Sequence, residues 1–211
     1  MRFKIHSFRH AETIFNNNPS FATLWLEVQN VLASITDQDI INSYNNNTRK
    51  SKKSISDDIN KLIDERLVNL SWNRQSPIFN ASAYRPKGTN HWWTLDFAKD
   101  SIAVEVAFNH GEATAWNLIK PVLSSELNHV QKAIQTQAGI IITATDSMKS
   151  AGNFDNAAGS YEKFLQYLDP LRNILTVPMI IIGLEAPDTF IINSKTKQVQ
   201  MINNPSSSIS S

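Results

Sequence analysis

The stretch on which this chain is read is Thr94-Leu95-Asp96-Phe97-Ala98-Lys99-Asp100-Ser101-Ile102-Ala103-Val104-Glu105-Val106-Ala107-Phe108. With Trp92 and Trp93 before it, it predicts two strands, WWTLDFAK and SIAVEVAF, divided by a tight turn at Lys99–Asp100. In the second strand Ile102, Val104, Val106 and Phe108 share one face, and Ala103, Glu105 and Ala107 share the other. A carboxylate in an otherwise apolar strand needs a compensating partner, because burying it alone is costly. Asp96 stands just before the turn, so the hairpin brings it to Glu105 at one end of the sheet. Two adjacent carboxylates repel, and a hard cation such as Mg²⁺ removes that penalty. Such an ion can polarise a phosphate and activate a water for in-line attack. The same spacing also suits a salt bridge, Asp96 with Lys99 or Glu105 with a nearby lysine, and the hairpin alone leaves both readings open.

Working outward, residues 20–35 predict a helix, with Phe21, Leu24, Trp25, Val28, Leu32 and Ile35 at helical spacing and Ser20 after Pro19 as N-cap. Residues 36–55 are polar and predict a mobile loop, with Asn45, Asn46 and Asn47 ahead of a basic run at Arg49, Lys50, Lys52 and Lys53. A second helix is expected over 57–70, capped by Ser56, with Ile59, Leu62, Ile63, Leu67 and Leu70 as its apolar stripe. Residues 73–90 predict loops. Beyond the hairpin, 114–136 is helical in tendency, with Pro121 as a break or fresh start. Residues 138–145 and 177–185 are apolar runs suited to buried strands. Between them lie a polar loop, 146–156, and a helix, 157–169. FIIN and QVQMI form a final hairpin around Ser194–Lys197. Helices, an antiparallel pair, then strand–helix–strand predict an α/β fold with a mixed central sheet flanked by helices. The expectation is a single domain over 1–203 and a disordered tail over 204–211, where no core-forming run remains.

The 211 residues suffice for a core without staples, and the absence of cysteine excludes disulfides and thiolate metal sites. No run approaches about 18 consecutive apolar residues, so a soluble, cytoplasmic protein with no membrane partner is expected. Twenty Lys and Arg against 19 Asp and Glu leave the chain almost neutral, so net charge neither favours nor excludes a nucleic-acid partner. P-loop, nucleophile-elbow and dinucleotide-binding patterns are missing. His129 has no partner at zinc-site spacing.

The Asp96-Phe97-Ala98-Lys99-Asp100 turn followed by Glu105-Val106-Ala107-Phe108 resembles the BglII-type restriction enzymes. Those carry a variant of the PD-(D/E)XK nuclease motif: an Asp, a turn containing Lys, then a strand reading Glu-Val-Gln-Phe. Further resemblances follow in order: His10-Ala11-Glu12 and Leu24-Trp25 through Glu27-Val28, like the family's opening helices, then Ser125-Glu126-Leu127, Ile140 to Thr143, Tyr161-Glu162, and Val177-Pro178 through Gly183-Leu184. The resemblance implies a restriction-endonuclease-like fold and a type II, Mg²⁺-dependent endonuclease. Asp96 and Glu105 would bind the metal with the Val106 carbonyl. The reaction would hydrolyse double-stranded DNA to leave a 5′-phosphate. A homodimer would act on a short palindrome containing GATC, its two-fold symmetry matching the site's, with a cognate DNA methyltransferase in the host. The N-terminal helices or the 114–136 helix would supply the dimer contact.

One position departs from the family. Two residues after the metal-binding Glu these nucleases carry Lys, Glu or Gln to hold the attacking water, and this chain has Ala107, which offers no hydrogen-bonding group. Glu112 or Asn109 could substitute, the substrate phosphate could orient the water, or the chain is a sequence-specific DNA-binding protein on an inactive nuclease core. A structural or partner-binding domain is the third class.

The resemblance implies base reading by Asn109 and His110, and by Asn156 in the 146–156 loop with Lys149, Ser150 and Asp155. Each residue type is also ordinary in a turn. The basic run at Arg49–Lys53 reads either as a solvated linker or as an arm on the phosphate backbone. Trp92 and Trp93 suit core packing as well as base stacking.

Overall fold

The structure, a computed structural model, describes residues 1–47, 53–87, 92–126 and 129–202. Strands β1 (Phe3–Phe8), β2 (Asn73–Pro77), β3 (Thr94–Lys99), β4 (Ile102–Val106), β5 (Ala138–Ala144) and β6 (Met179–Leu184) form one sheet in the order β1-β6-β5-β4-β3-β2. β4, β5 and β6 are parallel; β1 and the β2–β3 pair run antiparallel to their neighbours. The sheet is therefore mixed, as the element order predicts.

Helices cover both faces. α1 (Ala11–Asn17), α2 (Pro19–Ser34), α3 (Asp37–Asn46) and α4 (Ser56–Asn69) are built by the N-terminal third. Phe21, Trp25, Val28, Ile59, Ile63 and Leu67 meet Val104, Ile140, Ile142, Ile180 and Ile182 in one apolar cluster. On the opposite face, α5 (Thr114–Ser125) and α7 (Tyr161–Leu168) pack Leu118, Val122, Phe164 and Leu168 on Ile141, Met179 and Ile181. Because both faces are covered, β5 and β6 are buried at every residue, which is why they read as continuous apolar runs. The short α6 (Asp146–Ala151) follows β5, and β7 (Phe190–Ile192) with β8 (Val199–Met201) makes a separate hairpin.

Close approach fixes α5. A Cβ on Gly139 of β5 would lie 2.7 Å from the Pro121 Cβ, so the missing side chain lets the helix settle on the strand.

Several expectations change. Residues 37–46 are helix, because Thr36 and Asp39 form a capping box at the start of α3; residues 48–52 of the predicted mobile loop, with Arg49, Lys50 and Lys52, lie outside the described residues. The 73–90 segment contains β2, whose Asn-Arg-Gln-Ser-Pro sequence lacks apolar alternation because it is the sheet's edge. Residues 146–151 of the polar loop are α6, capped by the Thr145 side chain. Pro121 neither breaks nor restarts α5, which runs through it and ends at Ser125, well short of residue 136. Asn18, not Ser20, caps α2 and puts Pro19 in its first turn. Residues 3–8 are an edge strand whose register on β6 only the fold reveals. The tail over 204–211 lies outside the described residues. Among the described residues no helix is long and apolar enough to cross a membrane.

Candidate active site

The β3–β4 register pairs Phe97 with Val104 and Ala98 with Ala103. One step further along, Asp96 faces Glu105, so the hairpin joins the two carboxylates as the sequence predicts. Asp96 Oδ2 accepts a 2.8 Å hydrogen bond from the Val106 N–H. Glu105 is 1% exposed. Its Oε1 is buried and has no hydrogen-bond partner.

Glu105 Oε2 accepts from the Lys120 ammonium, which α5 carries down onto the strand and which also donates to the Thr94 carbonyl at 3.1 Å. The salt bridge that competes with a metal for the hairpin's meaning is thus realised for Glu105, with a partner the sequence does not single out. Asp96 does not pair with Lys99. Lys99 Nζ reaches both Glu27 oxygens, at 2.9 and 2.8 Å, and the Leu70 carbonyl at 2.8 Å.

With both carboxylates ionised, the single ammonium on Glu105 would leave the cluster a net negative charge. Burial, then the neighbouring Asp96, hold the Glu105 pKa well above its usual range, against the pull of Lys120. Asp96 is also raised, by burial first, with Lys120, the Val106 N–H and the Gln75 side chain opposing. Among the described residues no group of three or more His, Asp or Glu side chains is placed to hold a metal. The donor set on offer is two carboxylates, one with an orphaned buried oxygen, beside the Val106 backbone. Hard oxygen donors with excess negative charge suit Mg²⁺, which is held by one or two carboxylates and keeps several waters.

Ala107 is 1% exposed, its methyl packed in the cluster that holds Leu118, Ile141 and Phe164. Its N–H donates to Ile142 O at 2.8 Å and its carbonyl accepts from Thr143 Oγ1 at 2.9 Å. Position 107 is closed by apolar packing. Of the proposed substitutes, Glu112 is exposed on a short 3₁₀ turn, and Asn109 Oδ1 accepts from Asn117 Nδ2 at 3.1 Å.

The segments that follow β4 and α6 meet at one rim. Gly111 N–H donates to Ala157 O at 2.7 Å, and Gly159 N–H to Asn109 O at 2.9 Å. The linkage brings Asn109 and His110 beside Asp155 and Asn156, all four exposed. Asp155 Oδ1 accepts from the Ala157 N–H at 2.9 Å, and Lys149 Nζ donates to the Asn156 and Ala158 carbonyls, so both brace the loop. Ser150 is exposed on α6. Trp93 sits in an aromatic group with Phe79, Tyr84 and Trp116, while Trp92, 63% exposed, touches the Trp116 ring edge.

Lys120 is the site residue that sequence reasoning passed over. A lysine just before a proline in an otherwise apolar helix stretch, Leu118-Ile119-Lys120-Pro121-Val122, is the available signal.

Comparison with known proteins bears on the fold and the family. Among curated proteins none matches. The fold is shared with solved structures of BglII. The crystal structure of restriction endonuclease BglII complexed with a DNA 16-mer superposes with a TM-score of 0.62 at 23% identity, over 95% of this chain and 87% of that one. Free BglII gives 0.52 at 20% identity, over 90% and 83%. The profile of the restriction endonuclease BglII/BglIII family matches residues 3–184, a span that takes in the sheet, the paired carboxylates and the rim, and the chain belongs to that family.

Proposed function

We propose that the chain is a type II site-specific DNA endonuclease that hydrolyses a phosphodiester of double-stranded DNA with Mg²⁺. The observation that carries this reading is the Asp96–Glu105 pair: two facing carboxylates, one ammonium on Glu105, and a buried Glu105 Oε1 with no partner. A nuclease needs such a deficit of positive charge at its cation site.

Asp96, Glu105 and the Val106 carbonyl would hold the ion. When bound, it would supply Lewis-acid polarisation of the phosphate and a more acidic water. Asp96 also fixes the strand end through the Val106 N–H, which keeps the carbonyl of the same residue in register. Asn109, His110 and Asn156 on the exposed rim would read base edges, with Lys149, Ser150 and Asp155 shaping or flanking them. The DNA 16-mer bound by the related BglII structure supports double-stranded DNA as the substrate, and the family resemblance suggests a short palindromic site containing GATC. A homodimer suits such a site, because a two-fold protein meets a two-fold sequence. A cognate methyltransferase would protect the host, and the cytoplasm is where both would meet DNA.

The competing reading, a sequence-specific DNA-binding protein on an inactive core, draws on Ala107 and its apolar surroundings. One assay separates the two. The purified chain is incubated with a GATC-rich plasmid, with Mg²⁺ or with EDTA. Discrete fragments that need Mg²⁺ and vanish in Asp96→Ala are expected, and their ends give the site. No cutting with Mg²⁺ or Mn²⁺, beside tight and salt-sensitive binding to the same duplex, would select the binding protein.

A further inference from the structure

We infer that Lys120 of α5 is the catalytic residue that replaces the polar side chain missing at position 107, its remaining N–H donating to the attacking water while its charge faces the scissile phosphate. The inference rests on the nuclease reading. Position 107 offers no polar group, and the Ala107 methyl is buried in the cluster that holds Leu118, Ile141 and Phe164. Nor do the sequence neighbours reach the carboxylates: Glu112 is exposed, and Asn109 is held by Asn117. Asn117 and Lys120 lie three residues apart on the same face of α5. One anchors the rim residue and the other enters the carboxylate pair.

The donor count supports this. A lysine ammonium carries three N–H groups. Glu105 Oε2 and the Thr94 carbonyl take two, and the third has no hydrogen-bond acceptor among the described residues although Lys120 is 8% exposed. Lysine at that depth normally has its donors satisfied.

The charge count points the same way. Asp96 and Glu105 with a divalent cation sum to zero, which offers a phosphodiester no attraction. Adding Lys120 makes the site a monocation. That matches the single negative charge of the scissile group and favours the second charge that develops as water adds. In the step, the water oxygen forms a bond to phosphorus as the P–O3′ bond breaks. The water's proton passes to solvent, and the 3′-oxygen takes one from solvent. Lys120 stays an ammonium throughout and acts by hydrogen bond and charge.

The test uses the full chain with Lys120→Met, which keeps the length of the side chain and removes the ammonium. Four quantities are read: the melting temperature, affinity for a site-containing duplex in EDTA, Mn²⁺ affinity by electron paramagnetic resonance, and single-turnover cutting. Cutting should fall by about 10²–10³-fold, the loss typical of one preorganised donor, while duplex and Mn²⁺ affinities stay within tenfold of the parent. Parent-level cutting overturns the inference and leaves the nuclease reading intact. Loss of Mn²⁺ affinity along with cutting also overturns it, because Lys120 would then only hold the carboxylates in place. A parent that cuts no DNA overturns both readings.

Should Lys120→Met melt early, the absence of native cysteine allows Lys120→Cys to be alkylated at one position and refolded. Aminoethylation, which rebuilds the ammonium, should restore cutting, and a neutral propyl group of similar length should not. Equal cutting by the two refolded proteins would sink the proposal.

Discussion

Asp96 and Val106 are joined across the β3–β4 hairpin by a 2.8 Å hydrogen bond from the Val106 N–H to Asp96 Oδ2. A side chain of one strand thereby holds the backbone of the other at the point where the paired carboxylates meet. Asparagine in place of Asp96 keeps an acceptor for that N–H and removes one charge. Asp96→Asn should therefore fold, melt about 2–4 °C higher without metal if roughly 1 kcal/mol of repulsion is relieved, and cut no DNA. A calorimetric scan in EDTA beside the plasmid assay checks it. A lower melting temperature would mean that the negative charge itself supports the fold.

The raised carboxylates set a pH dependence. Asp96 and Glu105 have folded pKa values above their ordinary ones, so the folded state binds more protons than the unfolded state over the interval between the two. Unfolding free energy must fall as pH rises through that interval. In EDTA the melting temperature should rise as pH drops toward the ordinary carboxylate range, and the slope should flatten in Asp96→Asn with Glu105→Gln. Mg²⁺ selects the ionised carboxylates, so its stabilising effect should grow with pH over the same range. Melts at a series of pH values, with and without the ion, measure both trends.

Lys99 is tied to both oxygens of Glu27 and to the Leu70 carbonyl, and Trp72 Nε1 donates to the same Glu27 at 2.9 Å. These bonds join the β3 end to α2 and to the end of α4, with Lys99 and Glu27 only about a fifth exposed. Lys99→Ala should cost about 1–3 kcal/mol in denaturant unfolding, the scale of charged hydrogen bonds in partly buried sites. Cutting by the folded fraction should stay at the parent level. A selective loss of cutting would assign Lys99 to the chemistry.

Gly139 is a third place where fold and site are coupled. An alanine Cβ there would lie 2.7 Å from Pro121 Cβ and 3.2 Å from Met179 Cγ. Pro121 follows Lys120 directly, so pushing α5 outward draws the ammonium off Glu105. Gly139→Ala should destabilise by about 1–3 kcal/mol through overpacking and also lower single-turnover cutting. If stability falls and cutting by the folded protein does not, α5 has room to adjust without moving Lys120.

Much of this architecture is local and therefore readable in one dimension. β5 and β6 announce themselves because both faces are covered, leaving Ile140–Ile142 and Ile180–Ile182 as apolar runs. The Asp96–Glu105 pair is legible because a tight turn fixes the hairpin register and so the facing residues. β2 and β1 were not legible: they lie at the sheet edges, and their partners, β3 and β6, are chosen by the sheet rather than by their own periodicity. α3 and α6 are polar and short, and their capping residues, Thr36 and Thr145, are the local signal that outweighs composition. The sheet's central strands and the two carboxylates follow from the order of residues alone, because alternation along a strand and the span of one turn are properties of consecutive residues. That Lys120 reaches Glu105 and that Ala107 is buried emerge only on folding. Both depend on how α5 descends onto the sheet over Gly139, a packing relation between segments that no local pattern encodes.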